Sequence, residues 1–302
     1  MTHDAIVVGG SFAGLSAALY IARARRKVCV IDTAKPRNRF AAASHGFFGQ
    51  DGSKPQTMIA QARDQLLQYP TVQWHSSAAV TVAPHEDGFE LHMTTGETLA
   101  AHKLVLAFGV KDVLPTLPGL SERWGRSVLH CPYCHGFEFA DADLGVLYAA
   151  EGSIHQALLI AEWGPTTLFL NGHTLPDDTV REKLLSRGIA IEPAPVLRLE
   201  GPHTALAAAV LADGRNVALQ ALFIAAPTRL NSNLAEQLGC AIDDGPFGPM
   251  IRTRADKLTT VPNVYAAGDI ARAPHSVAWA ASDGVMAGTA LHRALVFPET
   301  GK

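Results

Sequence analysis

Two cysteines separated by two residues, Cys131-Pro-Tyr-Cys134, are the side chains in this sequence best suited to chemistry. Thiols at this spacing can close a small disulfide ring, and the intervening proline limits the entropy lost on closure. The thiolate is the nucleophile of disulfide exchange, and nearby cations often depress thiol pKa values in such motifs. His130 and His135 flank the pair. The spacing therefore predicts reversible dithiol/disulfide chemistry at these two cysteines.

Two other kinds of site use the same cysteine spacing. Half of a zinc site has it, but no second pair follows, so zinc would need both flanking histidines or distant ligands. Cys131 to His135 also matches the attachment motif of c-type haem, a chemistry that normally needs export. We expect neither a signal peptide nor a haem-like helical fold here. A redox pair is the favoured interpretation, and no metal site is expected.

A glycine-rich segment, Gly9-Gly-Ser-Phe-Ala-Gly14, follows an apolar strand and opens a helix. A dinucleotide fingerprint at such a junction places pyrophosphate on the helix N-terminus. Ser11 stands at the middle glycine, where its Cβ crowds the approach while its hydroxyl can bond a phosphate oxygen. Asp32 ends the next strand, where an acid binds a ribose hydroxyl, although a turn or capping role is the alternative. No arginine occupies this position, so FAD or NAD fits better than NADP.

The far end of the chain favours FAD over NAD. Gly268-Asp269 ends a strand, and its carboxylate can hold the ribityl chain of a flavin. A helix rich in small residues begins soon after, and its positive N-terminus can point at the flavin pyrimidine ring. An ordinary C-terminal helix packed on the sheet would explain the alanines but not their pairing with Gly268-Asp269.

Composition and charge limit the partners and the location. The chain has 302 residues, 48% of them hydrophobic, which is enough for two domains that each bury a core. A net charge of -3 with 13 histidines lacks the basic field that nucleic acid or an anionic membrane surface attracts. No apolar run approaches the roughly 20 residues of a membrane span. We expect a cytoplasmic protein that binds neither nucleic acid nor membrane.

Strand-like and helix-like segments alternate from the start of the chain, with strands predicted at residues 5–8 and 28–31 and a helix at 15–25. A proline-rich stretch at 113–119 indicates a crossover, after which a second α/β unit begins. The pattern predicts an α/β fold with two Rossmann-like, three-layer ββα domains, the second inserted into the first. The predicted domains are 1–112 (first part, FAD-binding), 113–227 (inserted, NAD(P)H-binding-like, carrying the cysteines) and 228–302 (second part, FAD-binding).

Three strings in the sequence carry a family resemblance: Ser44-His-Gly-Phe-Phe-Gly-Gln-Asp-Gly52, Cys131-Pro-Tyr-Cys-His-Gly136 and His275-Ser-Val-Ala-Trp-Ala-Ala-Ser-Asp-Gly284. Along essentially its whole length the chain resembles the low-molecular-weight thioredoxin reductases. Within them it is most similar to the FAD-dependent dithiol oxidases that close disulfides in gliotoxin-like and holomycin-like natural products. The resemblance also implies a homodimer.

The resemblance implies roles for individual residues. Cys134 would lie against the flavin and Cys131 would exchange with substrate. His135 stands where the thioredoxin reductases have an aspartate, and it would move the thiol proton because imidazole titrates near physiological pH. The predicted FAD-binding residues are Gly9, Ser11, Phe12, Ala13, Gly14, Asp32, His45, Gly109, Gly268, Asp269, Ser276 and Val277.

The inserted domain departs from the reductases where they bind NADPH. Its first loop, from Tyr148 to His155, has one glycine, and Glu151 lies where phosphate should approach and would repel it. After the next strand, where a basic cluster should hold the 2'-phosphate, only His173 is present. We expect NADPH binding to be weak or lost.

The sequence therefore predicts an FAD-dependent enzyme that oxidises a dithiol to a disulfide through Cys131 and Cys134 without NADPH. The alternative is a reductase of thioredoxin or another disulfide, fed by ferredoxin, a reduced flavin or weakly bound NAD(P)H. A non-catalytic flavin redox sensor is a third possibility. The expected partner is a small-molecule dithiol or a thioredoxin-like protein.

Overall fold

The computed structural model describes residues 2–297, which form two compact units. The first unit comprises residues 2–39, 55–111 and 228–297, and the second comprises residues 40–54 and 112–227. The second unit therefore interrupts the first twice. The sequence analysis placed residues 40–54 in the FAD-binding domain, whereas the structure places them in the second unit. Their contacts lie in the second unit because His45 pairs there with Glu138.

Strands and helices alternate through both units. The strands are β1 (Thr2–Val8), β2 (Val28–Ile31), β3 (Val72–His75), β4 (Ala79–His85), β5 (Gly88–Met93), β6 (Thr98–Leu106), β7 (Val110–Asp112), β8 (Val128–Leu129), β9 (Leu144–Leu147), β10 (Thr166–Phe169), β11 (Ala190–Glu192), β12 (Val196–Glu200), β13 (Ala208–Leu211), β14 (Asn216–Ala218), β15 (Ala221–Ile224), β16 (Thr228–Leu230), β17 (Ile242–Gly245), β18 (Gly248–Ile251) and β19 (Val264–Ala266). The α-helices are α1 (Phe12–Arg23), α2 (Pro55–Leu66), α3 (Pro132–His135), α4 (Gly152–Ile160), α5 (Asp178–Ser186), α6 (Leu234–Gln237) and α7 (Val277–Val296). Short 3-10 helices are Arg37–Phe40, Ser121–Arg123 and Phe137–Phe139.

The main sheet of the first unit has the order β3-β2-β1-β6-β5-β4, with β19 also paired to β6. The strands β3, β2, β1, β6 and β19 run parallel, while β5 and β4 extend the sheet antiparallel. Alternate residues of β1 enter two different cores, Ile6 on one face and Ala5 and Val7 on the other. A strand buried on both faces has a nearly continuous apolar sequence, which is why this strand could be predicted.

The first and last long helices of the first unit pack closely on each other. Helix α7 carries Gly284 and Gly288 where it crosses α1. A Cβ atom at Gly284 would lie 2.1 Å from the carbonyl oxygen of Ala13, and one at Gly288 would lie 2.6 Å from that of Ala17. Since only glycine permits this approach, the two sequence motifs at opposite ends of the chain are held in one region of the unit.

The second unit has a parallel sheet of order β11-β10-β9-β15-β8 and an antiparallel sheet β12-β13-β14. One face of the parallel sheet packs on α4 and α5 through residues such as Val146 and Leu168. The other face, with Leu147 and Phe169, packs on the antiparallel sheet. These layers confirm the predicted three-layer Rossmann-like α/β fold.

The first helix begins earlier than predicted. Helix α1 starts at Phe12 rather than at residue 15, because the end of the glycine-rich segment itself forms the first turn. Within residues 2–297, none of the helices combines the length and apolar character needed to cross a bilayer.

Candidate functional site

The two cysteines lie at the start of α3 in the second unit. Cys131 is the residue before the helix, Pro132 is its first residue, and Cys134 lies in its single turn. Proline favours the first position of a helix because its fixed φ matches the helix and its missing N–H is not needed there. The two sulfur atoms are 2.7 Å apart. The pair is partly exposed and positioned to interconvert between dithiol and disulfide.

Side chains of a neighbouring segment hold the cysteine turn in place. Gln156, which is buried on α4, donates a hydrogen bond from Nε2 to the carbonyl oxygen of His130 at 2.8 Å. The ring of Trp163 packs edge-on against Tyr133, with centroids 5.7 Å apart. A Cβ at Gly136 would lie 2.9 Å from the indole nitrogen of Trp163, so glycine is needed there. Sequence reasoning did not identify Gln156 or Trp163.

His135 lies in a partly buried cluster beside Cys134. Burial lowers the pKa of His135 below its ordinary value of 6.5, a nearby Glu138 carboxylate opposes this shift, and His45 reinforces it. The rings of His45 and His135 meet edge to face with centroids 6.2 Å apart. His45 also contacts two carboxylates, Glu138 and Asp51. A lowered pKa leaves the His135 imidazole neutral at neutral pH, so it can accept a thiol proton.

His45 was predicted among the FAD-binding residues, but it belongs to the second unit with the cysteine pair. Its partners there are Asp51, Glu138 and His135. Glu138 was not identified from sequence, although it follows His135 by three residues and lies just beyond the string that ends at Gly136. That spacing is the local signal that could have suggested it.

A zinc site, the alternative that the sequence disfavours, would need several ligands that converge on one point. Within the described part of the chain, no group of three or more His, Cys, Asp and Glu side chains could hold a metal ion. Cys29 is fully buried in β2, and burial raises the pKa of its thiol to about 12. Cys240 is also buried, with its sulfur 3.6 Å from the Thr259 hydroxyl. Both lone cysteines therefore behave as core residues.

The glycine-rich segment of the first unit forms a tight turn between β1 and α1. A Cβ at Gly9 would lie 2.2 Å from a carbonyl oxygen beyond β6, and one at Gly14 would lie 1.7 Å from the carbonyl oxygen of Gly9. Ser11 precedes the helix, and its side chain makes no capping hydrogen bond. Phe12 and Ala13 form the first turn. The N-terminus of α1 is where a pyrophosphate would bind, and the Ser11 hydroxyl is not used as a helix cap.

Two further predicted residues border this turn in the first unit. The Asp32 carboxylate accepts a hydrogen bond from the N–H of Gly10 at 3.0 Å, which fixes it beside the glycine-rich segment. Gly109 has a φ of +71°. Its carbonyl oxygen accepts a hydrogen bond from Asn231 N–H, and the Asn231 side chain donates to the carbonyl oxygen of Phe108. Asn231, which sequence reasoning did not identify, therefore braces the loop.

Asp269 has a partner that the sequence did not reveal. Arg37 donates a hydrogen bond to its carboxylate at 3.1 Å and another to Nδ1 of His275 at 2.7 Å. Ser276 caps α7 by accepting a hydrogen bond at 3.1 Å from the backbone N–H three residues later, and Val277 begins the helix. Arg37 thus ties Asp269 to the segment that leads into α7.

A buried carboxylate fixes Gly268 in position. Asp283, which is fully buried on α7, contacts Lys257 Nζ at 2.8 Å and Arg272 Nε at 3.0 Å. It also accepts a hydrogen bond from the N–H of Gly268 at 3.4 Å. Because buried charges are stable when paired, this triad holds the loop before α7 against the helix. Asp283 lies within the third resemblance string, but its role was not predicted.

The first-unit residues fit FAD. Gly9 and Gly14 let the turn close tightly on its own backbone at the start of α1, where a pyrophosphate would bind. A Cβ at Gly268 would lie 3.0 Å from that of Ala13, which places the Gly268-Asp269 turn next to α1. The tertiary structure therefore gathers these predicted FAD-binding residues from both ends of the chain in one unit.

The corresponding loop of the second unit is closed by its own side chains. The hydroxyl of Ser153 accepts hydrogen bonds from the backbone N–H groups of Ala149 and Ala150 at 3.0 and 3.3 Å. Tyr148 is buried, and its ring stacks on His173 with centroids 4.9 Å apart. Amide groups that would face a phosphate are thus already bonded within the loop.

Comparison with known proteins agrees with this arrangement. The profile of the family described as "Pyridine nucleotide-disulphide oxidoreductase" matches residues 3–154 and 174–284. "Thioredoxin reductase sirT" of Leptosphaeria maculans is 31% identical over 309 residues, covering 96% of this chain and 93% of the relative. "Thioredoxin reductase tcpT" of Claviceps purpurea is 32% identical over 284 residues, covering 88% and 86%. The solved structure of an oxidoreductase from Agrobacterium tumefaciens is 44% identical, with a TM-score of 0.94 and coverage of 99% and 100%.

Proposed function

Because this chain belongs to the pyridine nucleotide-disulphide oxidoreductase family and is a thioredoxin reductase-like flavoprotein, we propose that it oxidises small dithiols to disulfides without NADPH. Cys131 and Cys134 form the redox pair, and His135 is the acid/base. The proposal is supported by a contrast within the second unit. The cysteine pair is intact, whereas the loop where a nucleotide would bind is closed by Ser153 and by the stacked rings of Tyr148 and His173.

The proposed exchange uses only groups of the second unit. His135 accepts the proton of one substrate thiol, and the resulting thiolate attacks Cys131 in the Cys131–Cys134 disulfide. The mixed disulfide forms at Cys131, and Cys134 leaves as a thiolate that takes the proton from His135. His135, neutral again, accepts the proton of the second substrate thiol, and the resulting thiolate attacks the substrate sulfur of the mixed disulfide. The bond to Cys131 breaks, and Cys131 leaves as a thiolate that takes this second proton from His135. The substrate leaves as a disulfide, and the enzyme pair holds its two electrons.

FAD is the cofactor, and when bound it would supply a two-electron acceptor for the reduced pair, with oxygen, which would yield hydrogen peroxide, or another acceptor as the final oxidant. The residues that would hold it are the cradle of Gly9, Ser11 and Gly14, the Asp32 carboxylate and the Asp269 turn. In the proposed cycle these residues bind and orient, and the second unit handles the thiol protons.

An oxygen-electrode measurement tests the proposal. The purified flavoprotein should consume oxygen when given dithiothreitol or other small dithiols, and the rate should not change when NADPH is added. The disulfide product and hydrogen peroxide should appear in equal amounts. Absence of oxygen uptake with every dithiol, together with rapid oxidation of NADPH, would contradict the proposal.

NADPH should reduce the bound flavin poorly. Nucleotide binding at the second unit would have to displace the hydrogen bonds from Ala149 and Ala150 to Ser153 and bring phosphate near Glu151. While Ser153 holds these two amides, they cannot donate charge-assisted hydrogen bonds to a phosphate. The loss of two such bonds, at about 1.5 kcal/mol each, weakens NADPH binding roughly a hundredfold. In an anaerobic stopped-flow experiment at equal low concentrations of the two reductants, bleaching of the flavin by NADPH should therefore be much slower than bleaching by dithiol.

A second candidate function runs the same cysteine pair in reverse. The relatives from Leptosphaeria maculans and Claviceps purpurea bear the name thioredoxin reductase, which favours a disulfide reductase. Such an enzyme would take electrons from a reduced flavin, ferredoxin or weakly bound NAD(P)H and pass them to a thioredoxin-like protein. Prompt anaerobic bleaching by NADPH, followed by reduction of thioredoxin, would support this function over the oxidase.

Replacing His135 with glutamine should remove the proton acceptor and lower kcat/KM for dithiol oxidation roughly a hundredfold. In the unaltered enzyme the rate should rise as pH increases through the lowered His135 pKa, because only the neutral imidazole accepts a proton, and should level off by neutral pH. The His135→Gln variant should lose this inflection. A matched variant, His85→Gln, changes an exposed histidine of β4 and should keep both rate and profile.

We also propose that the protein is a homodimer, in line with its resemblance to the thioredoxin reductases. Light scattering during size-exclusion chromatography should give about twice the 32.1 kDa mass of the chain. A mass equal to one chain at micromolar concentration would contradict this.

A further inference from the structure

The loop that carries His45 is a rigid hairpin within the second unit. Ser44 and Ser53 form an antiparallel bridge, with the Ser44 N–H donating to the Ser53 carbonyl oxygen at 2.8 Å. The Asp51 carboxylate accepts a hydrogen bond from the N–H of Gly46 at 2.9 Å. That hydrogen bond is the main reason why the pKa of Asp51 is lowered. His45 is therefore held at the base of a closed loop.

His45 connects this hairpin to the catalytic turn. Its Nε2 lies 3.2 Å from Oε1 of Glu138, and its Nδ1 lies 3.5 Å from Oδ1 of Asp51. Its ring meets that of His135 at an interplanar angle of 86°. The His45 side chain is 22% exposed, so these charges are only partly screened by water. The imidazole of His45 and the carboxylate of Glu138 thus act on His135 from two different segments.

We propose that His45 and Glu138 are positioning residues that bias the protonation of His135 in opposite directions and so set the pH range of dithiol exchange at the cysteine pair. The effect on dithiol exchange rests on the proposed function. The effect of His45 and Glu138 on the protonation of His135 is a property of the unliganded second unit and can be measured without substrate.

The electrostatics around His135 give each residue a sign. Burial lowers the pKa of His135, Glu138 raises it as a counter-charge, and His45 lowers it as a like charge. Asp51 faces His45 rather than His135 and acts through it. Within its own turn His135 neighbours Cys134, with Cys131 and His130 preceding them.

Two substitutions test the proposal because their expected effects have opposite signs. His45→Gln removes the like charge and releases Glu138 to act on His135, so the pKa of His135 should rise by roughly half to one unit. Glu138→Gln removes the counter-charge but keeps a hydrogen-bonding group, so the pKa should fall by a similar amount. Site-resolved deuterium exchange at the imidazole C2–H, read by mass spectrometry on the full chain, measures the His135 pKa without substrate.

The pH profile of dithiol oxidation provides the second readout. Its acid limb should move to higher pH in His45→Gln and to lower pH in Glu138→Gln, following the His135 titration. His92→Gln is a matched control, because His92 also pairs with a glutamate, Glu90, at 3.6 Å but lies in the first unit. It should shift neither readout.

Particular outcomes would overturn the proposal. Shifts of the His135 pKa in the same direction in both variants would show a structural disturbance instead of opposed charges, and unchanged values would show that neither residue acts on His135. If the unaltered protein oxidises no dithiol, the proposed function fails, while the titration still decides the bias on His135. A thermal melt checks folding, and since Glu138 lies outside the hairpin, its variant remains informative if His45→Gln loosens the loop.

Discussion

Replacing Cys134 with serine should leave a protein that binds FAD and stays yellow when a dithiol is added without oxygen. The variant has no disulfide, so a substrate thiolate finds no electrophilic sulfur to attack, and the loss of such a reacting group lowers the rate about a thousandfold or more. Flavin content should be unchanged, because Cys134 belongs to the second unit and the predicted FAD-binding residues other than His45 belong to the first. Anaerobic stopped-flow absorbance of the flavin measures the effect directly.

The same substitution at a lone cysteine provides the control. Cys240→Ser places a hydroxyl next to the Thr259 hydroxyl, which already contacts the native sulfur, so it should fold and bleach at the normal rate. Cys131→Ser should behave like Cys134→Ser because both sulfurs are needed for the disulfide. Rapid bleaching of the Cys134→Ser variant by a dithiol would contradict the assignment of the redox pair.

Replacing Gly14 with alanine should weaken FAD binding about ten- to a hundredfold, since overpacking of this kind costs about 1–3 kcal/mol. The new Cβ would lie 1.7 Å from the carbonyl oxygen of Gly9, so the turn between β1 and α1 must move. That turn is where the backbone is predicted to approach the pyrophosphate. Titration of the apoprotein with FAD, followed by quenching of flavin fluorescence, gives the dissociation constant.

A control substitution in the second unit distinguishes the steric clash at Gly14 from a general effect of replacing glycine with alanine. Gly152 begins α4, and a Cβ there would meet no atom within 4 Å. Gly152→Ala should therefore bind FAD as the unaltered protein does and unfold at the same temperature. If Gly14→Ala also retains full FAD affinity with an unchanged melting temperature, the glycine-rich segment is not the pyrophosphate site.

Local sequence was sufficient for much of the fold. The apolar runs that form β1 and β2 are strands buried on both faces, and such strands have a sequence pattern that is visible without coordinates. The cysteine pair was also predictable from sequence, because the Cys-x-x-Cys motif places its two thiols only three residues apart. The predicted α/β architecture with its inserted second domain follows from the order of these segments.

The hydrogen-bond and ion-pair partners of the site residues could not be predicted from the sequence in the same way. Arg37 and Asp269 are 232 residues apart, and nothing near either of them indicates the other. His45 was grouped with the FAD-binding residues by resemblance, whereas its contacts with Glu138 and His135 depend on where the 44–53 hairpin folds. The Ser153 hydroxyl closes the second-unit loop through hydrogen bonds that the spacing of glycines alone does not imply.

The sequence alone determined which groups can react, since the thiol pair, the adjacent imidazole and the glycine-rich turn are each encoded within a few consecutive residues. Only the tertiary structure decided which charges act on them. Electrostatic effects on His135 and Asp269 depend on distances across space, and those distances arise from packing between segments that are remote along the chain.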